Sequence, residues 1–171
     1  MTQRSVRVTN VVLAGLGGQG VITASDILAD AAIRAGHDVK KAEVHGMSQR
    51  GGSVTCDVRF GEKVLSPMVP RGETDFLLVL APSEVAVTRP LLRPGGVLIR
   101  PDLVKEGDLA NRRSLNVALL GALSYHLSST IPEAVFLEVV KASLPERLHA
   151  VNEQAFALGR ATAAQARGER A

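Results

Sequence analysis

The chain has no tryptophan and a single cysteine, and Tyr125 with four phenylalanines makes up its whole aromatic complement. Cys56 alone excludes an internal disulfide, and it equally excludes a cysteine-ligated iron-sulfur cluster or zinc site built from this chain by itself. Charge of one sign is also scarce. The 20 Lys and Arg stand against 17 Asp and Glu for a net charge of +3, and the excess is scattered, densest at Lys40-Lys41 and Arg112-Arg113. A nucleic-acid binder gathers its base on one face and interleaves stacking aromatics, so no nucleic acid is expected as a partner. No apolar run approaches the ~20 residues of a membrane span, and the opening MTQRSVRVTN has no apolar signal-peptide core. The expectations are no membrane span and a cytoplasmic location.

What the chain does have is aliphatic bulk. A hydrophobic content of 46% over 171 residues suits one compact domain, residues 1–171, and the Ala, Val and Leu that dominate it suit a parallel sheet covered by helices. The branched run at residues 6–14 predicts a first buried strand ending at Gly15. A glycine cluster follows, and residues 21–35 then carry Ile22, Ile27, Leu28, Ala31 and Ala32 at helical spacing until Gly36. Residues 37–44 predict a second strand. Strict alternation at 53–60 puts Val54, Cys56, Val58 and Phe60 on one face and Ser53, Thr55, Asp57 and Arg59 on the other, the pattern of a half-exposed strand. Gly61-Glu62 predicts a turn into a short strand at 63–66, closing an antiparallel hairpin. Beyond a Pro- and Gly-punctuated loop come a buried strand at 75–80, a helix at about 83–92 and a strand at 96–100. Helices are predicted at 114–127, 133–144 and 146–166, with a disordered tail at 166–171. The fold class predicted is α/β: a Rossmann-like open, mostly parallel sheet with an antiparallel hairpin and helices on both faces.

Two segments carry chemistry. In AGLGGQG, Gly15, Gly17 and Gly20 hold the G-x-G-x-x-G spacing between a strand and a helix. There glycines permit a tight turn and close approach of backbone to a phosphate, and the helix amino terminus offers unpaired N–H groups. Three readings stay open: a turn and nothing more, an NAD(P) site, or a site for another phosphate-bearing ligand. A dinucleotide site also wants an acid about 20 residues on for the ribose, where the chain has Glu43 beside Lys40 and Lys41. The second segment, HGMSQRGGS, sets His45, Met47, Ser48, Gln49, Arg50 and Ser53 among Gly46, Gly51 and Gly52. Such a loop brings backbone, short polar groups and one guanidinium close to a ligand or partner; the alternative is a solvated loop.

Conventional catalytic sets are missing: there is no G-x-S-x-G elbow, no Walker A lysine and no H-E-x-x-H. His37, His45, His126 and His149 lack metal-ligand spacing, so no metal site is expected. Apart from His45 these histidines read as surface or satisfied core residues, and Cys56 reads as a small buried hydrophobe.

AGLGGQGV followed about 25 residues later by EVHGMSQRGGSV resembles the gamma-type subunit of 2-oxoacid:ferredoxin oxidoreductases, most closely the smaller subunit of the indolepyruvate type. The resemblance continues through DFLLVLAPSEV, the turn before GVLI, N-x-x-x-L-G-A from Asn116, and Asn152, Ala155, Phe156 and Gly159. It implies an accessory subunit, not catalytic alone, of an enzyme that oxidatively decarboxylates an aryl 2-oxoacid (indolepyruvate, phenylpyruvate or phenylglyoxylate) to the acyl-CoA. It also implies thiamine diphosphate, Mg and iron-sulfur clusters in thiamine-binding and ferredoxin-like partner subunits, with CoA as co-substrate. Carried over, Gly17, Gly18, Gln19 and Gly20 and the loop from His45 to Ser53 face the active site and CoA path, Arg50 is the contact to an anionic ligand, and Glu43 and Asn116 are secondary members. The chain is somewhat short for the indolepyruvate type, and the resemblance gives no role to Lys40-Lys41 or Arg112-Arg113. The competing expectation is a free-standing nucleotide-binding regulator or NAD(P)-dependent reductase.

Overall fold

A computed structural model describes residues 7–47 and 51–168. Its strands are β1 (Val8–Leu16), β2 (Asp38–His45), β3 (Ser53–Gly61), β4 (Thr74–Val79) and β5 (Leu92–Ile99), and its longer helices are α1 (Val21–Arg34), α2 (Pro82–Thr88), α3 (Leu115–His126), α4 (Glu133–Ser143) and α5 (His149–Gly168). The strands form one sheet in the order β2-β3-β1-β4-β5. β1 pairs in parallel with β4 and β4 with β5, whereas β3 lies antiparallel to both β1 and β2. One reversed strand therefore sits inside an otherwise parallel sheet.

Residues paired across strands share a face, and the two faces differ. Val11 and Leu13 of β1 lie opposite Val58 and Cys56 of β3, and Leu13 lies beside Leu78 of β4. That face joins Ile27 and Leu28 of α1, Leu119 and Leu123 of α3, Phe136 of α4 and Phe156 of α5 in one buried cluster. Each such side chain, fully buried, stabilises the fold by roughly 1.5–3 kcal/mol. The other face, carrying Val12, Ala14, Leu77 and Val79, is covered more thinly, by Val85 of α2 and by Val69. α3 is apolar on most sides because it is buried on most sides. It crosses α5 so closely that a Cβ on Gly121 would overlap the Phe156 backbone, and one on Gly159 the Ala118 backbone.

The structure amends the expected elements in five places. Residues 63–66 form no strand, because both edges of β3 are already paired, with β1 and with β2; the antiparallel hairpin is β2–β3. The outward side of β3 is less exposed than alternation suggests. Residues 62–73 cross it, Asp57 Oδ2 accepting from Val69 N at 2.8 Å and Arg59 Nη1 donating to the carbonyls of Ser66 at 2.9 Å and Met68 at 3.1 Å. α2 stops at Thr88 and a short 3-10 turn, Arg89–Leu91, follows, since Pro90 cannot continue the α-helical ladder. β5 then begins at Leu92, earlier than its glycines suggest. α5 runs to Gly168, so residues 166–168 of the expected tail are helical, and residues 169–171 lie outside the described residues.

Candidate functional site

β1 ends at Leu16, and after four intervening residues α1 begins at Val21. Gly18 and Gly20 make that reversal with φ of 88° and 82°, a region costly for side-chain-bearing residues. Gln19 closes the turn on itself: its backbone N–H donates to the Leu16 carbonyl at 3.2 Å, and its Oε1 accepts from Leu16 N at 2.7 Å. Asn116, in the first turn of α3, ties the turn to the far end of the sequence. It is 8% exposed, its Nδ2 donates to the Gly20 carbonyl at 3.2 Å, and its Oδ1 accepts from Val117 N at 2.9 Å. A Cβ on Gly20 would overlap the Asn116 amide. Gly20 is thus needed for its backbone angle and for room.

Between the turn and α3 lies a cavity of about 380 Å³. Gly18, Gln19, Gly20 and Leu80 line one side, and Arg112, Arg113, Leu115 and Asn116 the other. Arg112 reaches Glu106 at 3.4 Å with both side chains largely exposed, a pair worth little in water. No carboxylate is among the lining residues, and the first turn of α1 holds no acid. Two guanidinium groups beside a glycine turn and a helix amino terminus make a place for an anion. Arg112 and Arg113, the basic pair without a role in the sequence, are the members that sequence reasoning missed.

The glycine loop joins the same edge. Gly17 N donates to the Gly52 carbonyl at 2.9 Å, and Gly46 N donates to the Ser53 carbonyl at 2.7 Å. Gly51 turns the chain with φ of 64°. Ser53 Oγ donates to Glu84 Oε2 at 2.6 Å, fixing the end of the loop to α2. Glu84 is only 8% exposed, and among the described residues this serine is its side chain's hydrogen-bond partner. Met47 is fully exposed. Ser48, Gln49 and Arg50 lie outside the described residues, so the Arg50 contact rests on the resemblance.

Glu43 and His45 stand apart from the glycine turn. β3 separates β2 from β1, with Glu43 opposite Cys56 and Cys56 opposite Leu13, so Glu43 lies two strand spacings from β1, roughly 9–10 Å. The ribose role considered for Glu43 lacks its geometry. Its carboxylate is engaged instead with Lys41 Nζ at 2.7 Å, which also bonds Asp26 of α1. The hydrogen bond from Lys41 holds Glu43 below the usual carboxylate range. Burial opposes the charge on Lys41, yet the two carboxylates outweigh it and raise its pKa. Lys41 is thereby committed to an ion-pair network, and His45 Nε2 reaches only the outer edge of that network, 3.4 Å from Glu43. Cys56 is buried, and that burial pushes its thiol up, away from the reactive thiolate. Among the described residues no group of three His, Cys, Asp or Glu is placed to hold a metal ion, and no helix is long and apolar enough to cross a membrane.

The description "Pyruvate ferredoxin/flavodoxin oxidoreductase" belongs to the family whose model matches residues 10–106. The indolepyruvate oxidoreductase subunit IorB of Thermococcus kodakarensis is 36% identical over 188 aligned residues, covering 88% of this chain and 93% of that one. The keto/oxoacid ferredoxin oxidoreductase gamma subunit from Geobacter sulfurreducens shares the fold with a TM-score of 0.78 at 23% identity, covering 93% of this chain and 98% of that one. The 2-oxoglutarate:ferredoxin oxidoreductase from Magnetococcus marinus, solved with 2-oxoglutarate, coenzyme A and succinyl-CoA bound, superposes with a TM-score of 0.80 at 23% identity over 93% of this chain and 31% of that one. The chain therefore belongs to the pyruvate ferredoxin/flavodoxin oxidoreductase family, as a small subunit of a 2-oxoacid:ferredoxin oxidoreductase.

Proposed function

We propose that this chain is the gamma-type subunit of an enzyme that oxidatively decarboxylates an aryl 2-oxoacid to its acyl-CoA, and that it supplies the binding surface for the phosphates of CoA. The observation that carries this reading is the acid-free cavity joining Gly18, Gly20 and Asn116 to Arg112 and Arg113. A diphosphate there meets two guanidinium groups and the backbone of the glycine turn that leads into α1. Gly17 holds the far end of the glycine loop against that edge through Gly52, and the resemblance adds Arg50 of that loop as a contact to the anionic ligand. The CoA bound in the Magnetococcus enzyme supports the ligand class. The IorB relative, matched over nearly its full length, supports an indolepyruvate-like acyl group, with phenylpyruvate and phenylglyoxylate as the neighbouring choices.

Thiamine diphosphate with Mg would supply the carbanion chemistry of decarboxylation, and iron-sulfur clusters the path for electrons, all from partner subunits. This chain's part is to bind and orient the acceptor thiol's carrier. The test is to pull the tagged chain from its native cells and assay CoA-dependent reduction of a viologen dye by aryl 2-oxoacids. Recovery of larger, iron-containing partners with that activity is the expected result. A chain that comes down alone, inactive, and binds NADH at micromolar concentration would instead favour the free-standing nucleotide-binding protein.

A further inference from the structure

The cavity at the glycine turn does not end at Arg113. A second cavity of about 290 Å³ shares Arg113 and Asn116 with the first and continues past Thr23 to Arg147 and Asn152. Both volumes are of ligand size or close to it. No Asp or Glu is among the residues lining either one. Glu146 is next to Arg147 in the chain, yet among the described residues neither Arg113 nor Arg147 forms an ion pair. Besides those arginines, Val117, Leu144 and Leu148, the second cavity is lined by amide and hydroxyl groups, including Asn152, which is 6% exposed and held by its Nδ2 donating to the Leu148 carbonyl at 2.9 Å. A stretch that sets three guanidinium groups along two joined cavities and admits no acid is matched by a ligand with negative charge at two separated points. A single diphosphate would leave Arg147 unanswered.

We propose that the second cavity is a separate phosphate subsite, in which Arg147 and the shared Arg113 take a ribose-bound monophosphate while Arg112 and the glycine turn take the diphosphate. The ligand class is an adenosine diphosphate phosphorylated again on its ribose. This rests on the CoA reading above, under which the second phosphate is the 3′-phosphate of CoA; NADP carries the same chemistry and is the other source. Arg147 is exposed and in no described ion pair, so its substitution leaves the fold in place.

The experiment compares CoA with 3′-dephospho-CoA as acyl acceptors for the purified complex bearing R112Q or R147Q. Loss of one guanidinium-phosphate contact is expected to change KM about tenfold. R147Q should raise KM for CoA by about that factor and leave 3′-dephospho-CoA unchanged, whereas R112Q should raise both. If R112Q raises both and R147Q changes neither, or changes both alike, the subsite is overturned while the CoA reading stands. If neither variant moves either KM, the CoA reading falls, and the subsite with it. Tight, R147-dependent binding of NADP without any such effect on CoA would overturn the assignment to CoA.

Discussion

Glycine does two different jobs in this chain, and the contrast separates what holds the fold from what the fold presents. At the crossing of α3 and α5, Gly121 and Gly159 are replaceable by nothing larger because each faces backbone of the other helix. At the turn after β1, Gly18 meets nothing within 4 Å where a Cβ would stand and is constrained by its φ alone. Gly20 belongs to both kinds, with a positive φ and the Asn116 amide against it. Absent side chains at the crossing let two helices touch, whereas at the turn they leave an opening to solvent. One region buries its missing side chains and the other keeps its space open.

Gly159→Ala should break the first region outright. The inserted methyl must displace the Ala118 backbone, so a loss of about 3 kcal/mol is expected, read as a fall in Tm or failure to fold; a near-neutral result would mean the helices are not in contact. Gly107→Ala, where a Cβ meets open space and the φ is ordinary, is the matched control. Gly20→Ala is expected to cost about 2 kcal/mol through its backbone angle and the displaced amide, and Gly18→Ala only about 1 kcal/mol. Equal costs at the two positions would remove the packing role assigned to Asn116. Ser53→Ala removes the Ser53 donor from the buried Glu84 carboxylate, a loss of about 1 kcal/mol, and should speed proteolysis within the glycine loop.

The smallest effect lies on the thinly covered face and depends on pH. Burial raises the pKa of Asp57 despite the hydrogen bond from Val69. A folded pKa above the unfolded one contributes stability that is full below the unfolded value and is lost as pH rises through the folded one. Asp57→Asn should therefore gain stability relative to the parent chain as pH climbs through the carboxylate range toward neutrality. Denaturant titrations at acid and neutral pH check the sign, and a difference that does not change with pH would contradict it.

Much of this was legible from the order of residues. Alternation at Val54, Cys56, Val58 and Phe60 correctly gave β3 and its inward face, and the spacing of Ile27, Leu28, Ala31 and Ala32 gave α1, because burial on one side leaves a period. Sheet order was not legible: nothing local in β2 or β3 tells that β3 inserts between β2 and β1, and that insertion is what removes Glu43 from the glycine turn. The strand expected at 63–66 failed for the same reason, since its pairing partner was already occupied. The arginine side of the cavity was invisible because Gly20 and Asn116 lie 96 residues apart, although the asparagine that opens α3 within N-x-x-x-L-G-A was the available signal.

The most direct measurement is the KM for CoA of the complex assembled with the R112Q/R113Q double variant, taken alongside its KM for the 2-oxoacid. The expected outcome is a rise of about tenfold or more for CoA, equivalent to at least about 1.4 kcal/mol of lost binding, with the 2-oxoacid KM and the Tm unchanged. An unchanged KM for CoA in a fully assembled, active complex would contradict the assignment of this cavity to the CoA phosphates.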